Sequence, residues 1–103
     1  NQYKNQKMSL PYFLEKLLNE GKELNIIDVR EADEVAQGMI PGAVHIPLRA
    51  IPARYLELDN NKEYIMVCRS GARSSQATRF LEEEGFDVIN MKGGMMSWKG
   101  KTE

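Results

Sequence analysis

Leu10, Phe13, Leu14, Leu17 and Leu18 recur at i, i+3, i+4, i+7 and i+8, the spacing that lines one face of a helix. Ser9 stands where an N-cap belongs, Pro11 falls in the first turn and Gly21 ends the pattern, so a helix is predicted over Leu10–Asn19. The next apolar run, residues 24–29, is short and β-branched and lacks polar alternation, which predicts a strand covered on both faces. Residues 31–37 read as a short helix stopped by Gly38. Pro41-Gly42 reads as a type II turn, and residues 44–46 as a brief strand stopped by Pro47. Residues 49–58 are helical, with Pro52 in the first turn, and residues 64–67 are a further buried strand. Ala77, Phe80 and Leu81 mark a helix over residues 74–84, ended by Gly85. Residues 87–91 form the last strand, Gly93-Gly94 a turn, and residues 95–99 one helical turn with Trp98 packed inward.

Strands thus alternate with helices through short connections. That pattern belongs to an α/β domain with a mostly parallel sheet and helices on both faces. Residues 1–8 are polar and read as a tail or short edge strand; residues 9–100 form the domain. In such sheets ligands bind beyond the carboxyl ends of the strands. Cys68, Asp28-Val29-Arg30 and Gly93-Gly94 all fall at such ends.

Composition narrows the function. The 103 residues, 42% hydrophobic, suit one domain with one modest core. A net charge of −1 and a pI near 5.9, with no basic stripe, argue against nucleic acid and anionic membrane as partners. No apolar run approaches the roughly 18 residues of a membrane span. The lone cysteine excludes an internal disulfide and suits a reducing compartment; with one histidine it leaves no metal set. The six methionines have no spaced His or Cys ligands beside them and mark no copper or haem site. Glu82, Glu83 and Glu84 are a solvated face.

The chemistry concentrates in Cys68-Arg69-Ser70-Gly71-Ala72-Arg73, followed by Ser74. A strand, a tight loop and a helix start place the thiol where free backbone N–H groups converge and the helix dipole is positive. A thiol there has a lowered pKa and is partly ionised at neutral pH. Gly71 allows close backbone approach or a positive φ. Arg69 and Arg73 raise the local potential and suit steering an anion, with Arg69 taking more of that contact; the other role for Arg73 is to close the loop on backbone carbonyls. Asp28 and Arg30 read either as a site pair or as scaffold, Asp28 toward loop N–H groups and Arg30 toward a carboxylate. His45 is a satisfied structural histidine. Met95 and Met96 either pack or line an acceptor entrance.

Several stretches together resemble the single-domain rhodanese family of sulfurtransferases. They are Ile27-Asp28-Val29-Arg30-Glu31, Gly38-Met39-Ile40-Pro41-Gly42-Ala43 with Ile46-Pro47-Leu48, the Cys68 loop, Gly85-Phe86, and Gly93-Gly94 before Trp98. The one departure is Met39, where the family usually has His; that position is not the nucleophile. The resemblance implies a single rhodanese-like α/β domain with a mostly parallel five-stranded sheet and helices on both faces. It implies a persulfide on catalytic Cys68, with a small-molecule donor such as thiosulfate. The acceptor would be a thiol or cyanide, or a protein sulfur acceptor. Residues Arg69, Ser70, Gly71, Ala72, Arg73 and Ser74 would bind the sulfur, with Asp28 and Arg30 supporting the loop. It also implies a cytoplasmic setting and neither metal nor organic cofactor. Two other readings are a binding or sulfur-relay module without turnover, and a phosphatase or arsenate reductase of related fold. Related phosphatases have one more residue between Cys and Arg, so the shorter loop favours a single sulfur atom over a phosphate.

Overall fold

A computed structural model describes residues 3–4 and 7–103. Strands β1 (Ile26–Asp28), β2 (Val44–His45), β3 (Glu63–Val67) and β4 (Asp87–Asn90) form one parallel sheet in the order β2-β1-β3-β4. The ladders run a little past these bounds. The Ile65 N–H donates to Asn25 O, the Val29 N–H to Val67 O, and the Met91 N–H to Met66 O, at 2.8–2.9 Å. The sheet therefore has four strands among the described residues, not the five implied by resemblance. The edge-strand reading of residues 1–8 falls partly on residues 1–2 and 5–6, which lie outside the described residues. Tyr3 and Lys4 form a turn instead. Physically, this polar segment has no β-branched run to pair; among its described residues Tyr3 is buried, edge-on to Phe13.

Side chains alternate across β3 and feed two cores. Ile65 and Val67 join Leu14 of α1 (Leu10–Asn19), Ile40, Met91 and Trp98 on one face. Tyr64, Met66 and Cys68 join Ile51 of α3 (Ile51–Arg54) and Ala77 and Leu81 of α4 (Ala72–Glu83) on the other. The missing polar alternation in the sequence is thus the mark of a doubly covered strand. Helix α2 (Ala32–Val35) is different: none of its residues is buried, and a reciprocal capping box between Glu31 and Glu34 holds it. The predicted helix over residues 49–58 resolves into 3-10, α and 3-10 turns. Helix α4 starts two residues before the predicted Ser74, because Gly71, at φ +104°, turns the chain into the helix directly. No helix among the described residues is long and apolar enough to cross a membrane.

Candidate functional site

The carboxyl ends of β1, β3 and β4 bring Asp28, Cys68 and Asn90 to one edge of the sheet. Cys68 follows β3 on the α4 side and has no exposed surface. Between it and α4 lie only three residues, so the start of the helix faces its sulfur. The Gly71 N–H donates to Sγ at 3.0 Å, and the Ser74 hydroxyl lies 3.3 Å from it.

The loop is held from behind. The Met95 N–H donates to the Cys68 carbonyl at 2.8 Å, and the Met96 N–H to the Arg69 carbonyl at 3.0 Å. A trans peptide points its N–H away from its C=O, so tying back the Arg69 carbonyl turns the Ser70 N–H the other way, into the cradle. Gly94 makes this contact close: a Cβ there would stand 2.4 Å from Cys68 O and 2.5 Å from Arg69 O. Gly71 is similarly confined, its hypothetical Cβ 3.2 Å from the Gly93 nitrogen.

Burial pushes the Cys68 thiol up. The Ser74 hydroxyl and the backbone N–H groups of Ser74, Gly71 and Ser70 favour the thiolate, and together they win: the thiol lies below its ordinary range. The cradle thus uses neutral dipoles at the sulfur rather than an adjacent base.

The arginines divide. Arg73 forms a two-point pair with Glu34 of α2, Nη1 to Oε1 at 2.6 Å and Nη2 to Oε2 at 2.8 Å. Its partner is a carboxylate on α2, not the backbone carbonyls of the loop-closing alternative. Arg73 first, and then the Glu31 N–H at 2.9 Å, hold the Glu34 carboxyl down at about 2. Arg69 is exposed. It borders an open cavity of about 490 Å³ beside the cradle, lined also by Arg30, Asp33, Glu34, Gln37, Met95 and Met96. Met95 is half-buried against the core, whereas Met96 is 67% exposed at the rim. Ser70 and Ala72 are exposed; Gly71 and Ser74 are buried.

Asp28 and Arg30 pair with each other. Arg30 Nε and Nη2 reach the Asp28 carboxylate at 2.8–3.1 Å, and the Arg30 N–H adds a bond of 3.0 Å. Nη2 also donates to Gly38 O. The carboxylate expected for Arg30 is Asp28 itself, and the loop N–H expected for Asp28 is that of Arg30. Neither side chain has a hydrogen bond to residues 68–73. Two buried opposite charges two residues apart satisfy each other first and brace the segment around α2. His45 Nε2–H donates to Arg30 O at 2.7 Å.

Two residues at the site escape a reading of the sequence. Glu34 carried one local signal, its three-residue spacing from Glu31. Asn90 carried none beyond its place at the end of a strand. Its Nδ2–H donates to Gly71 O at 3.1 Å, and its Oδ1 accepts the Ser74 hydroxyl at 2.5 Å. Among the described residues no group of three or more His, Cys, Asp or Glu is placed to hold a metal ion.

The family model described as Rhodanese-like domain matches residues 10–101. The chain is 49% identical over 90 residues to "Putative sulfurtransferase YtwF" of Bacillus subtilis, covering 87% of each chain. It is 45% identical over 97 residues to "Putative sulfur carrier protein YrkF" of the same organism, covering 93% of this chain and 52% of that one. The crystal structure of a rhodanese-like domain protein from Staphylococcus aureus superposes with a TM-score of 0.84 at 37% identity, covering 90% of this chain and 92% of that one.

Proposed function

Because this chain belongs to the rhodanese-like domain family, we propose that it is a thiosulfate-type sulfurtransferase working through a persulfide on Cys68. Similarity to a sulfurtransferase and a sulfur carrier supports a sulfur-transfer role in general. The observation that carries the finer reading is the set of donors converging on Sγ: Gly71 N–H, Ser74 O–H and the N–H groups of Ser70 and Ser74.

The Cys68 thiolate attacks the terminal sulfur of thiosulfate. The new bond joins Sγ to that sulfur; the old S–S bond breaks, and its electron pair leaves with sulfite. An acceptor thiolate then attacks the outer sulfur of the persulfide, and the Cys68 thiolate leaves. Cyanide in the same role leaves as thiocyanate. No net oxidant or reductant is consumed. Charge stays on sulfur throughout, and fixed N–H dipoles stabilise it as they would an oxyanion. Ionisation before attack removes the need for a general base. Arg73 is already neutralised by Glu34, and Arg69, exposed at the cavity rim, is a cation that suits an anionic donor.

The test is intact mass after incubation with thiosulfate, followed by multiple-turnover assay with cyanide. A gain of one sulfur atom, absent in Cys68→Ser, with sustained thiocyanate release supports the proposal. Loading without turnover would reduce the protein to a carrier. Hydrolysis of an aryl phosphate with no sulfur adduct would overturn the reading in favour of a phosphatase.

A further inference from the structure

The Ser74 hydroxyl has one proton and two acceptors in reach, Asn90 Oδ1 at 2.5 Å and Cys68 Sγ at 3.3 Å. The orientation of the Asn90 amide is not free. Gly71 O can only accept, so Nδ2 must face it, at 3.1 Å, and Oδ1 is thereby turned onto Ser74. Gly71 in turn donates its N–H to Sγ. Asn90 thus bonds two of the residues that donate to the sulfur, Gly71 through its carbonyl and Ser74 through its hydroxyl, without touching the sulfur itself.

We propose that Asn90 is a positioning residue of the Cys68 cradle: its clamped amide oxygen accepts the Ser74 hydroxyl hydrogen bond when the sulfur is uncharged and gives up that bond, so that the hydroxyl donates to Sγ, when the thiolate forms. With a neutral thiol, the chain runs Sγ–H to Ser74 Oγ and Ser74 O–H to Asn90 Oδ1. With a thiolate, the hydroxyl turns to Sγ and Asn90 Oδ1 loses its donor. Asn90 therefore opposes ionisation that Ser74 and the loop N–H groups promote. Such opposition is useful, since a thiolate loses nucleophilicity as its pKa falls, and attack is best with a pKa near ambient pH. In the transfer cycle, on whose reading this last point rests, the persulfide leaves Sγ uncharged and the hydroxyl on Asn90. Departure of the Cys68 thiolate then calls the hydroxyl back.

The test is a titration of Cys68 by thiolate absorbance in the far ultraviolet, with Cys68→Ser as blank, in Asn90→Ala, Asn90→Asp, Ser74→Ala and the Ser74→Ala/Asn90→Ala pair. Other charges near the sulfur are unaltered in these variants: Arg73 is paired to Glu34, Asp28 and Arg30 pair with each other, and Arg69 and Lys92 are exposed. Asn90→Ala should lower the midpoint by about half to one pH unit, the scale of one hydrogen bond between neutral groups. Asn90→Asp should raise it. Both lose the bond to Gly71 alike, so simple loosening of the loop would move both the same way. In the Ser74→Ala background the Asn90→Ala shift should vanish. Shifts of equal sign, or an Asn90→Ala shift that survives without Ser74, overturn the proposal. Cooperative melting checks that each variant folds, and Asn90→Ser replaces alanine where alanine is not tolerated. The titration uses no sulfur donor, so its failure is read separately from any failure of sulfur transfer.

Discussion

Replacing Glu34 by Gln removes the charge that clamps Arg73 while keeping a side chain of the same shape. The Glu34 carboxyl sits at about 2 against an ordinary 4.5. At about 1.4 kcal/mol per unit, that difference sets a ceiling of roughly 3.4 kcal/mol. The Arg73 and Glu34 side chains keep 33% and 26% of their surface in water, so screening reduces the contribution to about 1–2 kcal/mol. In a domain of this size that corresponds to a loss in Tm of about 5–10 °C at pH 7. The sign of the pH dependence follows from the same shift. Unfolded, Glu34 takes up its proton near pH 4.5; folded, it does so only near pH 2. The clamp's contribution is therefore whole above pH 4.5 and disappears as pH falls toward 2. Thermal melts by circular dichroism across that range should show the Glu34→Gln deficit shrinking to nothing at the acid end. Coincident melting curves at pH 7 would refute the reasoning. So would a deficit that persists unchanged at pH 2, because it could not then come from the charge.

Gly94→Ala places a methyl into the Cys68 and Arg69 carbonyls at φ +56°; it should lose about 2–4 kcal/mol in chemical denaturation and raise the Cys68 titration midpoint as the loop shifts. Asp28→Asn leaves the buried Arg30 guanidinium uncompensated and should lower stability by about 3–5 kcal/mol in urea melts, while Cys68 in any folded fraction still titrates as in the parent. Arg69→Ala should raise KM for thiosulfate about threefold at low salt with kcat unchanged, and the difference should fade as ionic strength rises; a fall in kcat alone would move Arg69 out of the steering role.

What the sequence disclosed and what it hid have a common physical cause. Leu10 to Leu18 announce their helix because its periodicity is local, and the predicted bounds agree with α1. The doubly covered strand over residues 64–67 and its abrupt end at Cys68 are equally local, as is the glycine that starts α4. The partners of the cradle are not local. Glu34 lies 39 residues from Arg73, and Asn90 lies 16 residues from Ser74. Their side chains acquire meaning only when β1, β3 and β4 are laid side by side. The pairing of Asp28 with Arg30 shows the opposite limit: two residues that looked available to the loop were close enough to satisfy each other. The expected fifth strand came from resemblance rather than from any β-branched run in residues 1–8.

Helix α2 buries no side chain, yet supplies Glu34 to Arg73 and, with Asp33 and Gln37 nearby, one wall of the cavity beside Arg69. Packing and recognition are therefore separately tunable in this domain. The two cores do not register what Asp33 and Gln37 are, so the cavity wall beside Arg69 is free to diversify. A designer wishing to retarget the mouth would graft here first and leave a single letter untouched, the glutamate at position 34.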